Sequence, residues 1–251
     1  MVAPSFLVDG YRRLRRFLED RQNLQKNTED VFTEIYQRNK WGGLRGQFYS
    51  GSGSDNKQVV APYVAVISEL ATREKFRGLT FVDLGCGDFR VGSQLRPLAS
   101  RYIGVDIVES LVGHNQATYA DAATKFVHLN IVTDELPDGD VSFVRQVFQH
   151  LGNHQIANVI QKLRKYRWVF ITEHYPTHNA RIRPNLDKVQ GERIRLYENS
   201  GVYLSEPPFS LPPEECEQVL EVAGLELEGW NDRGIIRTFL YKPRAQWCEP
   251  K

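Results

Sequence analysis

The spacing of apolar positions changes character near residue 79: helical period before it, short apolar runs alternating with helical stretches after it. Residues 8–26 read as an amphipathic helix, with Tyr11, Leu14, Phe17 and Leu24 near one face and Arg12, Arg13, Arg15 and Arg16 around it. A second helix starts at Thr28, with Glu29 and Asp30 in its first turn, and carries Val31, Phe32, Ile35 and Tyr36. Trp41-Gly-Gly43 and Ser50-Gly-Ser-Gly-Ser54 read as a flexible loop, after which 58–76 return to helical periodicity. Strands are predicted at 79–84, 101–106, 125–129, 140–145 and 167–173, with helices at 90–99, 107–122 and 153–165. Residues 174–209 hold four prolines and read as neither element. Ser210 as a cap and Pro212 and Pro213 in a first turn predict a helix over 212–223. Closing strands follow at 225–230 and 235–242, joined by the hairpin signal Asn231-Asp-Arg-Gly234.

Strands alternating with helices predict an α/β fold: a doubly wound, mostly parallel, seven-stranded sheet that binds its ligand at the carboxyl ends of the strands. The expected division is a helical extension and lid loop over 1–76, then a core over 77–251 with a substrate-side insertion at 174–209.

The chemistry concentrates in Phe81-Val-Asp-Leu-Gly-Cys-Gly-Asp-Phe-Arg-Val-Gly92. An apolar run ends in Asp83, and Gly85 and Gly87 make a turn that lets backbone N–H groups approach a nucleoside. A second run, Tyr102-Ile-Gly-Val105, ends in Asp106, where a carboxylate can take both hydroxyls of a ribose. The dinucleotide fingerprint wants a third glycine where this chain has Arg90, and Asp83 would repel a pyrophosphate. S-adenosylmethionine carries a ribose, an adenine, a carboxylate and an ammonium but no phosphate. Its carboxylate is expected near the N-terminus of the following helix.

These residues resemble the first motif, Asp-x-Gly-x-Gly, of the class I S-adenosylmethionine-dependent methyltransferases. The resemblance implies a Rossmann-like core with S-adenosyl-L-methionine as cofactor. A bacterial subgroup associated with glycan and small-molecule methylation is similar over about residues 32–212. Its motifs are matched by Ile35-Tyr36 with Trp41-Gly-Gly43, by Ser50–Ser54, by Cys86-Gly-Asp-Phe89, by Arg145 and His150-Leu151, and by Asn185, Asp187, Gly191, Pro208, Phe209 and Pro212. Gln146 stands where the subgroup has an acid, which weakens a metal-binding or acid role there.

The expected cofactor site comprises Asp83, Gly85, Cys86, Gly87, Asp106, Ile107, Asn130, Ile131 and Arg145, with Trp41, Ser52 and Ser54 from the loop. Asn130, after the third strand, can reach the adenine amino group. The Ser-Gly loop is expected to fold over the cofactor and exclude water. His150 is the first candidate base for an alcohol acceptor because imidazole titrates near neutrality. Glu173 and His174, ending the fifth strand, are the second choice. Mg²⁺ is an alternative means of acidifying the acceptor, although the spacing of acids and histidines gives no ligand triad.

The net charge of +1 gives no electrostatic case for nucleic acid. With 41% hydrophobic and 25% charged residues the composition is that of a soluble globular protein. Cys86, Cys216 and Cys248 form neither a disulfide framework nor a zinc pattern, and no apolar run reaches a membrane span, so the expected location is cytoplasmic. Arg145, His174, Arg181, Arg183, Arg193 and Arg195 favour a polar acceptor over a lipid. The expected function is O-methylation of a sugar, oligosaccharide or other polar small molecule. N-methylation and a non-catalytic cofactor-binding module are the alternatives, and the aromatic N-terminal helices offer a surface for a homodimer.

Overall fold

The computed structural model describes residues 16–44, 46–177, 181–226 and 232–244. Residues 16–23 are helical (α1), residues 24–26 of the expected first helix form a turn instead, and its residues 8–15 lie outside the described residues. Helix α2 (Thr28–Gln37) is capped by Asn27, whose side chain accepts from Asp30 N–H, and buries Val31, Phe32 and Ile35. Helix α3 (Lys57–Arg73) is capped by Asn56 and buries Val59, Val60, Tyr63, Ile67, Leu70 and Ala71.

Seven strands form one sheet: β1 (Thr80–Leu84), β2 (Arg101–Asp106), β3 (Thr124–His128), β4 (Val141–Arg145), β5 (Trp168–Tyr175), β6 (Cys216–Ala223) and β7 (Ile235–Tyr241). Their order is β3-β2-β1-β4-β5-β7-β6. The first five strands pair in parallel, and β7 runs antiparallel to both β5 and β6. The chain steps outward on one side from β1 to β2 and β3, then returns to the other side at β4, so a crevice opens at the carboxyl ends of β1 and β4.

Alternation along the strands supplies a core to each face of the sheet. Phe81, Phe143, Trp168 and Phe170 join Tyr63, Ile67, Leu70 and Phe76 in one cluster. Val82, Leu84, Val144, Val169 and Ile171 join Phe32, Ile35 and residues of helix α6 (Asn153–Leu163) in the other. Phe143 and Phe170 stack at 5.4 Å with an interplanar angle of 12°.

Three expected elements are corrected. The helix at 90–99 shrinks to α4 (Gly92–Leu95) and a 3₁₀ turn at Arg96–Leu98. Pro97 lacks the N–H that a continuing helix requires. The helix expected at 212–223 is instead one 3₁₀ turn, Pro213–Glu215, followed by strand β6. Pairing with β7 overrides the helix-favouring glutamates, and Glu217 and Glu221 charge the exposed edge. The closing hairpin therefore joins β6 to β7. The strand expected at 225–230 begins in loop at 224–226, and its residues 227–230 lie outside the described residues, as does Asn231. Helix α5 (Glu109–Tyr119) matches the helix expected at 107–122.

Phe170 is fully buried between Phe76 and Phe143. Phe170→Ala should lower the unfolding free energy by about 3–5 kcal/mol in a urea titration. A loss below about 1 kcal/mol would contradict this packing.

Candidate active site

The glycine turn after β1 is tied to the end of β2 by one carboxylate. Asp106 accepts from Gly87 N–H at 3.0 Å and from Val108 N–H at 3.1 Å, which leaves further lone pairs on both oxygens. The turn needs glycine twice. Gly85 has φ +76°, and a Cβ there would stand 2.5 Å from Val147 Cγ2; Gly87 has φ +55°, and a Cβ would meet Ser50 Oγ at 2.4 Å.

Ser50 anchors the start of the Ser-Gly loop. Its N–H donates to Asp88 Oδ2 at 3.1 Å while its hydroxyl accepts from Asp88 N–H at 2.8 Å and lies 2.8 Å from the Tyr36 hydroxyl. Farther along, Arg145 donates to Gly53 carbonyl at 2.7 Å. The loop is thus docked across the crevice, from the glycine turn to the end of β4.

Beneath it lies a cavity of about 1200 Å³, larger than the ~300–1,000 Å³ usual for one small ligand. Asp83, Gly85, Cys86, Gly87, Asp106, Ile107, Asn130, Ile131, Arg145, Trp41, Ser52 and Ser54 all line it, as do His150 and His174. The structure therefore brings together every cofactor-site residue expected from the sequence. Asn130 already uses its Oδ1 to accept from Val132 N–H at 2.9 Å, closing its own turn.

Charge is placed unevenly along the cavity. Burial pushes Asp83 up to about 6, opposed by the Tyr102 hydroxyl that donates to it at 2.8 Å and by Arg145. Arg145 lies 5.1 Å over the ring of Tyr63, and its buried Nε has no hydrogen-bond partner. Burial lowers its pKa against the pull of Tyr63, Asp83 and Glu173. One cavity end thus carries a carboxylate beside an incompletely bonded guanidinium. The helix end expected to attract an anion there is only the four residues of α4, too short for a useful macrodipole.

The other end is walled by aromatic rings. Trp41 lies 5.0 Å from His150 and 5.2 Å from Tyr36, and Phe32 lies 6.2 Å from Trp41. His150 Nδ1 is 3.1 Å from Gly191 carbonyl. Burial pushes His150 down to about 3, with Lys188 adding to the effect, so the ring stays neutral at ordinary pH. The near-neutral titration that singled it out in the sequence is absent from the folded protein. His174 Nε2 donates to Arg233 carbonyl at 2.7 Å, and burial lowers its pKa too.

Glu173 departs from expectation. It is fully buried, is absent from the cavity lining, and accepts from the N–H groups of Val147 (3.1 Å), Phe148 (2.8 Å) and Gln149 (2.9 Å). Burial pushes it up to about 8 while those N–H groups and Arg195 hold it down. Its carboxylate fixes the turn that carries His150 and cannot reach an acceptor as a base. That turn also holds Gln146 in the left-handed region at φ +56°, secured by its N–H on Thr172 carbonyl at 2.7 Å.

Sequence reasoning missed Tyr63, which approaches the site from α3, and Gln149, which shares the His150 turn. Neither belongs to a motif, and only the third dimension places them at the cavity. Among the described residues no group of three or more His, Cys, Asp or Glu is arranged to hold a metal ion. No described helix is long and apolar enough to cross a membrane.

No family model matches the sequence, and no curated protein matches it. Solved structures do share the fold. The N-methyltransferase NodS from Bradyrhizobium japonicum WM9, in complex with S-adenosyl-l-homocysteine, superposes with a TM-score of 0.56 at 12% identity, covering 86% of this chain and 99% of that one. The Burkholderia thailandensis 1,6-didemethyltoxoflavin-N1-methyltransferase, with bound 1,6-didemethyltoxoflavin and S-adenosylhomocysteine, gives 0.52 at 14% identity over 85% and 87% of the two chains. Magnesium protoporphyrin IX methyltransferase from Synechocystis PCC 6803, with bound S-adenosylhomocysteine, gives 0.51 at 12% identity over 86% and 100%. What this chain shares with them is the Rossmann-like methyltransferase fold.

Glu173→Ala strips three N–H groups, two of them in buried hydrogen bonds, of their acceptor, and should cost about 3 kcal/mol or more in urea unfolding. A cost below about 1 kcal/mol would mean the carboxylate does not organise the turn.

Proposed function

We propose that this protein is an S-adenosylmethionine-dependent O-methyltransferase acting on a hydroxyl of a sugar, oligosaccharide or other polar small molecule. The observation that carries this reading is the match between the cavity and a phosphate-free nucleoside joined to an amino acid. The free lone pairs of Asp106 suit a ribose diol beside the glycine turn. Asp83 suits the ammonium, and the guanidinium of Arg145, which lines the same cavity, suits the carboxylate. Gly85 and Gly87 let Val147 and Ser50 close against the turn, and the docked Ser50–Ser54 loop excludes water.

When bound, S-adenosylmethionine supplies a methyl group that an acceptor oxygen displaces in line, leaving the bonding electron pair on sulfur. Alignment contributes most to such a displacement. The rings of Trp41 and Phe32 flank His150 and orient an acceptor against it. Gly191 carbonyl only accepts, so Nδ1 carries the ring proton and Nε2 presents a lone pair. That lone pair orients the hydroxyl and takes its proton as the ether forms. A pKa near 3 suffices, because a protonated ether is a far stronger acid than an imidazolium.

The reading is tested by incubating the protein with S-adenosylmethionine and a panel of sugars, other alcohols and amines, with products mapped by mass spectrometry and NMR. Methyl ethers are expected. Methylamines alone would favour N-methylation, and binding without any transfer would favour a non-catalytic module. Because the depressed His150 pKa leaves the ring neutral throughout, log kcat should show no His150 inflection between about pH 5 and about pH 8. An inflection near 6.5 that His150→Asn removes would contradict the proposed state of that ring.

A further inference from the structure

The fold puts the basic side chains of the acceptor side to different uses. Arg145 reaches the Ser-Gly loop through Gly53 carbonyl, and Arg195 is buried and donates to the carbonyls of Leu186 and Leu151. Arg183 lies outside the cavity, with its guanidinium on Glu198 carbonyl. Arg193 lines the cavity, where α1 meets the substrate-side insertion. The two segments are tied there: Asn23 donates to Gln190 carbonyl at 3.1 Å, and Gln190 Nε2 donates to Lys26 carbonyl at 3.2 Å. The other cations lining this end are matched, Arg16 by Glu198 and Lys40 by Glu192 at 3.0 Å. Among the described residues Arg193 forms no ion pair with these acids or with Glu19, and its guanidinium rests 4.9 Å over the ring of Tyr197. Burial pushes the neighbouring Lys188 down to about 7, and Arg195, Arg16 and Arg193 add to that push against the pull of Asp20. Positive charge is in excess at this part of the wall.

Arg193 is also held at a fixed reach from the acceptor end. Gly191 accepts from His150 Nδ1 at 3.1 Å and donates its N–H to His150 carbonyl at 3.0 Å, and Glu192 carbonyl accepts from Trp41 Nε1 at 3.3 Å. From Gly191 to Arg193 the chain spans at most ~7 Å. Tyr197, on the 3₁₀ turn Arg195–Glu198, then orients the guanidinium, and stacking leaves its N–H edges open to a planar or tetrahedral oxyanion. We propose that Arg193 binds an anionic group of the acceptor, a carboxylate or a phosphate on the same sugar ring as the reacting hydroxyl or the adjoining one, so that the site selects acidic sugars. This specificity rests on the function proposed above. A neutral sugar forgoes the charge-assisted hydrogen bonds that the guanidinium offers.

The test uses the full chain, S-adenosylmethionine and methyl glycosides in matched sets: the neutral sugar, its uronate and its phosphate monoester. The better anionic member should exceed the neutral one in kcat/KM by about tenfold or more, and which anion leads identifies the group recognised. That advantage should shrink as salt rises from about 0.05 M to about 0.5 M, because Arg193 is only half-buried. Arg193→Gln should lower kcat/KM for the anionic acceptor by about tenfold or more, while the neutral acceptor, S-adenosylhomocysteine affinity and Tm stay unchanged. Arg193→Lys should restore part of the preference. An arginine with only a structural role would instead lower Tm and affect every acceptor alike. Equal kcat/KM for neutral and anionic acceptors, or a preference that survives Arg193→Gln, overturns the inference while methyl transfer itself stands. Absence of transfer to every alcohol overturns the underlying function, and this inference with it.

Discussion

The site depends on the bond between Gly87 N–H and the Asp106 carboxylate, which ties the turn after β1 to the end of β2 at 3.0 Å. With that turn fixed, Gly87 leaves room for Ser50 Oγ, and Ser50 exchanges two hydrogen bonds with Asp88. The loop carried by Ser50 then reaches Arg145 at the end of β4 through Gly53 carbonyl. Four segments distant in sequence thus close around one crevice because a single acid spans two strand ends. The same acid keeps lone pairs for a ligand, so the group that organises the turn also faces the cavity.

A second carboxylate organises the opposite wall. Glu173 gathers three consecutive N–H groups and thereby holds Gln149 and His150 on a short 3₁₀ turn, with Gln146 strained at its start. The consequence is chemical as well as structural. A histidine buried this deeply is neutral and fixed in one tautomer by Gly191 carbonyl, which makes it a directional acceptor of a hydrogen bond rather than a pH-responsive base.

Much of this was legible in the chain. The five parallel strands announce themselves as apolar runs, and the acids ending β1 and β2 stand at positions where side chains emerge at the carboxyl edge. The glycine spacing of the turn is likewise local information. What was not legible depends on partners remote in sequence. β6 has a helix-favouring composition and becomes a strand only because β7 is beside it. Glu173 and His174 are adjacent, yet pleating sends one into the core and the other to the cavity, and nothing local to the pair signals which. Tyr63 reads as one more buried position of α3 until Arg145 is seen above its ring.

The central claim is that two acids at neighbouring strand ends grip a phosphate-free nucleoside through its ribose hydroxyls and its ammonium group. Isothermal titration with S-adenosylhomocysteine tests it most directly, alongside Asp106→Ala that circular dichroism confirms is folded. One-to-one binding, weakened at least about tenfold by Asp106→Ala, is the predicted result. No binding heat at any temperature tried, or an affinity untouched in the folded variant, would contradict it.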